Sequence, residues 1–289
     1  ATGRVAELVS VLERRLEALA RAAAGDAAAE SARTALRLRV AGLRATRLGD
    51  AEGAIALLEP ALAERGAVAA VAEPLADLYQ RSERGEALEA LCRAAAARAA
   101  EGPERAGWLV RLGDALRARG AEREAVAVYR EAVTERPGDR DAQAALRELH
   151  RRLDEPAPLA RLLEAELAHR AGPRKVSIRR ELARLQSERL GRPNDALLHL
   201  RRVLQIEPGC AEALERALAL ATGDAHGEIL RELLDEGLSR PQPDATRARL
   251  LASRARLRAA EPGRARDTAA DLRDALALDP TRAEVRGLL

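Results

Sequence analysis

The feature that most constrains this chain is a set of helix-length segments that end in Gly or Pro and return at a regular interval. One segment shows the pattern fully: Leu112, Gly113, Leu116, Gly120, Ala125, Tyr129, Ala132 and a closing Pro137. Steps of three and four residues place such side chains on one face of a helix. The segment therefore predicts two amphipathic helices that approach closely through small residues.

Four other segments repeat the last four of these positions. Their counterparts are Ala54, Leu58, Ala61 and Gly66; Ala87, Leu91, Ala94 and Ala99; Ala196, Leu200, Val203 and Pro208; and Thr268, Leu272, Ala275 and Pro280. Units recur about every 34 residues, a period typical of helical-pair repeats. One pair cannot bury both of its faces, so neighbouring pairs must stack into a continuous core.

Composition supports an all-helical chain with a solvated surface. Phe and Met are absent, aromatic residues make up 1%, and 47% of the residues are hydrophobic, largely Ala and Leu. No stretch alternates long enough to predict a strand. The 49 basic and 46 acidic residues are interleaved and give a net charge of +3. This balance does not indicate a polyanionic partner.

The best segment resembles the tetratricopeptide repeat (TPR). The resemblance is carried by Leu112-Gly113, Gly120, Ala125, Tyr129, Ala132 and Pro137. It implies an all-α fold: a right-handed superhelical α-solenoid of about seven antiparallel helix pairs forming one domain over 1–289. Repeats are expected at 27–67, 68–101, 106–138, 139–172, 177–210, 211–240 and 249–280. Pro74 and Pro158 depart from the family pattern, because each stands where a helix-favouring residue is expected.

The two ends suggest a piece of a larger multidomain protein. Residues 4–24 predict a leading helix, and 281–289 predict the start of a helix that is cut short. Ala1 in place of Met indicates that an upstream segment was removed. Solenoids usually end in a polar capping helix. Val9, Leu12, Leu16 and Val285 would instead leave apolar ends, through which the chain could self-associate.

The sequence lacks the short motifs that are typical of phosphate-binding loops and of nucleophilic serines. Neither GxGxxG nor GxxxxGK occurs, and no Ser lies in a Gly-x-Ser-x-Gly context. The four histidines are spread over three of the expected repeats: His150, His169, His199 and His226. We therefore predict no catalytic residue, no metal site, no cofactor and no enzymatic activity. With no signal peptide or apolar run of membrane-spanning length in the sequence, a cytoplasmic location is favoured.

The TPR resemblance implies that the first helix of each pair lines a concave groove that holds a protein or peptide partner. The inward positions of the third and fourth units are then Arg111, Asp114, Arg117, Arg147, His150 and Arg151. Four Arg on one face could bind carboxylates of an acidic partner through bidentate contacts. The alternative is that Arg is simply frequent in this chain. The Lys and Asn clamp of chaperone-tail-binding members is not matched.

Two other functions stay open from the sequence. Related helical-pair repeats bind single-stranded RNA, but such surfaces present stacking aromatic residues and a one-sided positive field. This chain has only Trp108, Tyr79 and Tyr129, so nucleic acid is disfavoured. The segment could also be the regulatory or assembly part of an enzyme whose catalytic domain lies elsewhere. In that case too it would act as a binding module.

Overall fold

The structure is a computed structural model that describes residues 2–22, 27–169, 172–220, 224–259 and 263–281. Within these ranges the chain forms helices and no strand, which confirms the predicted all-α class. A π-helical turn, Arg44–Leu48, continues the second helix. The α-helices are α1 Thr2–Ala22, α2 Ala27–Leu43, α3 Ala51–Arg65, α4 Ala69–Arg81, α5 Gly85–Arg98, α6 Pro103–Ala118, α7 Glu122–Glu135, α8 Arg140–Arg152, α9 Pro156–Ala168, α10 Pro173–Glu188, α11 Pro193–Ile206, α12 Ala211–Leu220, α13 Asp224–Ser239, α14 Asp244–Ala259 and α15 Ala265–Leu278.

After α1 the helices follow each other in pairs, from α2 and α3 to α14 and α15. Three first helices, α6, α10 and α14, begin a few residues before the predicted repeat starts at 106, 177 and 249. The chain divides into two compact units, 1–149 and 150–289. The single domain over 1–289 stays a prediction.

Helix starts and ends follow from local sequence. Pro opens four helices at the position where its missing N–H costs nothing: Pro103, Pro156, Pro173 and Pro193. Gly120 ends α6 in the left-handed conformation, with φ of 83°. The N–H of Ala121 then donates to the carbonyl of Leu116 at 2.9 Å, as in a Schellman cap. This turn reverses the chain between α6 and α7.

The two prolines that depart from the family pattern are both accommodated. Pro158 lies in the first turn of α9, where a backbone N–H has no helical partner in any case. Pro74 lies inside α4, which nevertheless runs from Ala69 to Arg81. Burial of the adjacent Leu75 and Ala76 offsets the lost hydrogen bond.

Close packing of α6 against α7 explains the small residue at position 113. A Cβ atom on Gly113 would lie 2.7 Å from Cε1 and Cζ of Tyr129. Tyr129 is fully buried, between Ala125 and Ala132, which are also inaccessible. Its hydroxyl donates to Oδ1 of Asp114 at 2.6 Å. The predicted close approach and the predicted core position of Tyr129 are therefore confirmed.

In the α4–α5 pair, the predicted alignment is wrong by one residue. Ala94 was aligned with the buried Ala132, but Ala94 is exposed and its neighbour Ala95 is 1% exposed. Leu88, Cys92 and Ala95 are the buried residues at the spacing of Ala125, Tyr129 and Ala132. Each set also begins at the fourth residue of its helix. Runs of Ala and Leu in α5 hide this register, because either alignment places apolar residues inside.

The second compact unit has the same kind of core. Leu200 and Leu272, which correspond to Tyr129, are each 1% exposed. Both belong to one continuous cluster that also contains Ala183 and Ala255 in the preceding helices. In these two pairs the first helix carries an Ala and the second helix a Leu at the corresponding positions. In the α6–α7 pair the first helix carries the smaller Gly113 and the second helix the larger Tyr129. The size of one residue is thus matched to that of the other.

The predicted apolar surface at the start of the chain is partly wrong. Val9 and Leu12 were expected to be exposed, but they are buried against Val40 of α2. The exposed apolar residues of α1 are Leu8 and Val11, which are 41% and 55% accessible. Val285, named for the other end, lies outside the described residues. Self-association remains a prediction.

Candidate functional site

Two of the arginines predicted to bind an acidic partner, Arg111 and Arg117 of α6, already contact carboxylates of the chain. Nη1 of Arg111 lies 2.9 Å from Oδ1 of Asp77, and its guanidinium stacks 5.6 Å above the Trp108 ring. Nη2 of Arg117 lies 3.3 Å from Oδ1 of Asp114. Both pairs are partly exposed, so they are individually weak. A partner could reach these arginines, but it would compete with internal carboxylates.

Asp114 connects the predicted site to the core. Its Oδ1 accepts hydrogen bonds from both Arg117 and the hydroxyl of Tyr129. Burial, followed by the hydrogen bond and charge of Asp114, raises the pKa of Tyr129 well above its usual range. The phenol therefore remains a hydrogen-bond donor at any physiological pH. This contact holds the carboxylate of Asp114 at the surface of α6.

His150 was predicted to face a partner, but the structure places it inside. It is 5% exposed, and its Nδ1 lies 2.8 Å from Oε2 of Glu155. His150 directly follows the buried Leu149, as Gly113 follows the buried Leu112, so it occupies the small-residue position of its helix. The prediction aligned α8 with α6 one residue out of register. His150 is thus a packing residue and offers little surface to a partner.

The other two predicted residues of α8 differ in exposure. Arg147 is half-buried, whereas Arg151 is exposed and lies 2.5 Å from Oε1 of Glu181 on α10. Arg147 belongs to the first compact unit, and Arg151 belongs to the second. Of the six predicted residues, the structure therefore brings together Arg111, Asp114 and Arg117 on α6.

Arg111 and Asp114 line an open groove within the first unit. We call it the Arg111 groove; it has a volume of about 550 Å³ and lies between α4, α5 and α6. Its apolar lining comes from Leu88, Ala115 and Ala118, and its charged lining also includes Glu83, Glu86 and Arg119. Arg119 pairs with the buried Glu89 at 2.9 Å. The groove thus combines an apolar floor with a rim of both charges.

A second groove, which the sequence analysis missed, lies within the second unit. We call it the Arg179 groove; it has a volume of about 560 Å³ and is formed by α9, α10 and α11. Its lining includes Glu164, Arg179, Gln186, Leu198, His199 and Arg202. The sequence signal was the polar stripe of α11 at helical spacing. It was overlooked because the family resemblance directed attention to first helices, and this groove lies largely along second ones.

In this groove Arg179 lies beside His199 and affects the pKa of the imidazole. Burial, and then the charge of Arg179, lowers the pKa of His199, although Asp195 partly opposes the effect. His199 is therefore neutral near pH 7. Nη1 of Arg179 lies 3.5 Å from Nδ1 of His199, the outer limit of a hydrogen bond. In this arrangement the imidazole accepts and the guanidinium donates.

In the part of the chain that the structure describes, no three His, Cys, Asp or Glu side chains lie close enough to one another to hold a metal ion. None of the helices searched has the length and apolar character needed to span a bilayer. The charged grooves are thus the features from which a function can be argued.

Comparison with known proteins gives similarity of fold. The sequence matches no known protein-family model and no curated protein. Among solved structures, a TPR protein from Parabacteroides merdae aligns over 89% of this chain and 97% of its own, with 15% identity and a TM-score of 0.43. A structure of Naa15/Naa10 bound to HypK-THB aligns over 89% of this chain and 39% of its own, with 18% identity and a TM-score of 0.46.

A third similar structure is YrrB, described as a TPR protein with an unusual peptide-binding site. It aligns over 62% of this chain and 89% of its own, with 15% identity and a TM-score of 0.37. The all-α fold of successive helix pairs that the TPR resemblance implied is observed in the chain itself. What this chain binds must be argued from its own residues.

Proposed function

We propose that this TPR-like helical-repeat protein is a non-enzymatic scaffold for protein–protein interaction that holds a peptide or protein partner. The observation that carries this proposal is the Arg111 groove: an apolar floor with charged walls, open to solvent, on rigid helices. Such a lining suits an extended peptide, because apolar side chains fill the floor while charged groups fix orientation. Residues on helices are also held more firmly than residues on loops.

Within this groove, Arg111 and Asp114 are the predicted residues placed to contact the partner, and Arg117 lies beside them. The arginines of this groove already contact carboxylates of the chain itself. The groove therefore does not favour an acidic partner over a basic one. Glu83 and Glu86, both exposed, add negative charge to the same lining. We therefore propose that side chains of either charge on the partner find a complement here.

A blocking substitution tests this proposal. Ala118 is exposed and lines the groove, so Ala118→Arg fills the groove without entering the core. Ala94→Arg is the matched control, since Ala94 is an exposed alanine of α5 that does not line the groove. Each protein serves as bait in lysate of the source organism, and captured proteins are quantified by mass spectrometry.

We expect a protein that is captured by the wild type and by Ala94→Arg to be lost with Ala118→Arg. Far-UV circular dichroism should show that all three baits are equally helical. Equal capture by Ala118→Arg, or no protein captured above the background of the empty matrix, would contradict the proposal.

A further inference from the structure

Many arginines of the second compact unit are paired with carboxylates, whereas two that line the Arg179 groove are not. The paired ones include Arg180, Arg189, Arg216, Arg254 and Arg256. Within the described residues, Arg179 contacts His199 and Arg202 contacts the amide of Gln205, and neither lies within 4.0 Å of a carboxylate. The groove therefore holds two positive charges without an internal counterion.

This arrangement leaves hydrogen-bonding capacity unused at partly buried atoms. Nε of Arg179 is buried and has no hydrogen-bond partner among the described residues. Burial lowers the pKa of Arg179, and repulsion between the guanidinium groups of Arg179 and Arg202 lowers it further. An anion between them would remove the repulsion and would satisfy donors that now lack an acceptor.

A buried amide at the other end of the groove has a free acceptor. Gln186 is 3% exposed, and its Nε2 donates to Oε1 of Glu164 at 3.3 Å. Its Oε1 is buried and accepts no hydrogen bond from the described residues. A ligand that suits the groove therefore brings an N–H donor to this end and an anion to the arginine end.

The lining of the groove changes sign along α11. Asp195, Leu198 and Arg202 lie on one face of this helix, at steps of three and four residues. Asp195 and Arg202 are therefore about 10 Å apart along the helix axis. Leu198 lies between them and is 55% exposed, which is unusual for a large apolar side chain of this protein.

We propose that the Arg179 groove binds a short peptide segment whose carboxylate lies over Arg179 and Arg202 and whose next apolar side chain covers Leu198. The backbone N–H groups of the segment face Gln186, and a basic side chain further along approaches Asp195 and Glu164. This site differs from the Arg111 groove in helices and in charge, and it does not depend on a partner binding there.

A peptide fits this lining better than a nucleic acid does. Asp195 and Glu164 would repel a continuous phosphate backbone at one end of the groove. No Phe, Tyr or Trp lines the groove, so the only ring on which a base could stack is the half-buried imidazole of His199. A peptide has single charges separated by neutral backbone, which matches a groove whose charge alternates.

The test is a selection from a library of random twelve-residue peptides displayed on phage, with the full chain as bait. A parallel selection uses Arg179→Gln/Arg202→Gln. The control bait, Arg184→Gln/Arg273→Gln, loses the same charge from two exposed arginines of the same unit that do not line the groove. The most enriched peptide is then labelled with fluorescein, and its binding to each protein is measured by fluorescence anisotropy.

We expect the wild type and the control to enrich peptides with Asp or Glu next to a large apolar residue and with Lys or Arg further along. Arg179→Gln/Arg202→Gln should bind the labelled peptide about tenfold more weakly, the effect of losing one charge-assisted hydrogen bond or more. Changing the acidic residue of the peptide to its amide should cause a similar loss. Arg202→Gln alone repeats the test at an exposed residue, should the double variant fold poorly.

Three outcomes would overturn the proposal. One is selection of peptides without enrichment of acidic residues. Another is equal binding of the labelled peptide by the wild type and Arg179→Gln/Arg202→Gln. The third is displacement of the peptide from the groove by a twelve-nucleotide single-stranded oligonucleotide at 150 mM salt, which would indicate a nucleic-acid site. All baits and proteins of this test also carry Ala118→Arg, which blocks the Arg111 groove, so peptides that bind there are excluded and the two proposals fail separately.

Discussion

At the scale of single residues, Gly113 is the position in α6 where one added methyl group has the most to displace. We predict that Gly113→Ala lowers the free energy of unfolding by about 1–2 kcal/mol, because the new Cβ overlaps the Tyr129 ring. Tyr129 is fully buried and anchored to Asp114, so its ring cannot move aside freely. Urea unfolding followed by far-UV circular dichroism measures the change.

Gly107 provides the control for this prediction within the same helix. No atom lies within 4 Å of a Cβ built on Gly107. Gly107→Ala should therefore stabilise the chain by about 0.5–1 kcal/mol, the ordinary gain in helix propensity. Replacing Tyr129 by Leu, the residue at this position in other pairs, should make Gly113→Ala less costly. A Gly113→Ala variant as stable as Gly107→Ala would refute close packing at this position.

Sequence reasoning predicted Gly113 and Tyr129 well, because close approach demands a small residue opposite a large one. It misplaced His150, because a slip of one residue along a helix turns a side chain by about 100°. It also could not anticipate that Arg111 would pair with Asp77, since these residues lie in different helix pairs. A partner in another pair is fixed by how the pairs stack, which the pattern within one repeat does not specify.

At the scale of helices and turns, Glu83 occupies a place that Gly120 occupies in the next pair. Glu83 has a φ of 55°, a left-handed conformation that costs a non-glycine residue roughly 1–2 kcal/mol. Glycine would remove this cost and add about 0.5–1 kcal/mol of chain entropy in the unfolded state. We predict that Glu83→Gly stabilises the chain by about 0.5–1 kcal/mol in thermal or urea unfolding.

The two turns are directly comparable in their hydrogen bonds. The N–H of Arg84 donates to the carbonyl of Tyr79, and that of Ala121 donates to Leu116, each at 2.9 Å. Gly120→Ala should therefore show the opposite sign and destabilise by about 1 kcal/mol. A loss of stability in Glu83→Gly would mean that its side chain, not its backbone, decides stability at this turn.

Asp139 caps the start of α8 and makes its stability dependent on pH. Its Oδ1 accepts from the N–H groups of Asp141 and Ala142, both at 3.0 Å, and its carboxylate pairs with Arg136. Burial alone would raise the pKa of Asp139, but the hydrogen bond from Ala142 and the contact with Arg136 outweigh burial and lower it. The carboxylate therefore stabilises the fold above its unfolded-state pKa of about 4 and loses this effect as pH falls through the lower folded-state pKa.

We predict that Asp139→Asn costs about 1 kcal/mol at pH 7, and that the difference from the wild type shrinks below about pH 4. Urea unfolding at a series of pH values from 7 to 2.5 measures this difference. Other carboxylates titrate in both proteins, so their effect cancels in the comparison. A difference that stays constant over the whole range would show that the charge of Asp139 does not contribute.

At the scale of the whole molecule, the order of helices was predictable and the division into compact units was not. Each predicted repeat corresponds to one pair of helices, although three pairs begin a few residues early, because punctuation by Gly and Pro is local and survives in the sequence. The division between residues 149 and 150 falls inside α8, where neither Gly nor Pro marks it in the sequence. The Arg179 groove was missed because the family resemblance directed attention to first helices, whereas residues of three helices, two of them second helices, line it.

The single tryptophan allows stability to be followed in one unit separately from the whole chain. Trp108 lies in the first unit and is 5% exposed, whereas circular dichroism reports on helices throughout. In a repeat protein each helix pair is stabilised mainly by contacts with the neighbouring pairs. A destabilising substitution therefore lowers stability mainly in the pairs close to it. We predict that Leu116→Ala, in the first unit, lowers the urea midpoint of Trp108 fluorescence more than that of circular dichroism.

Leu200→Ala is the matched substitution in the second unit. Leu116 and Leu200 are both essentially inaccessible, so each variant should lose about 2–5 kcal/mol locally and shift the affected midpoint by roughly 1 M urea or more. Leu200→Ala should lower the midpoint of circular dichroism while leaving that of Trp108 fluorescence close to the wild-type value. Equal shifts of both probes in both variants would instead mean that all the helices unfold in one cooperative step, since stability would then be shared across the two units.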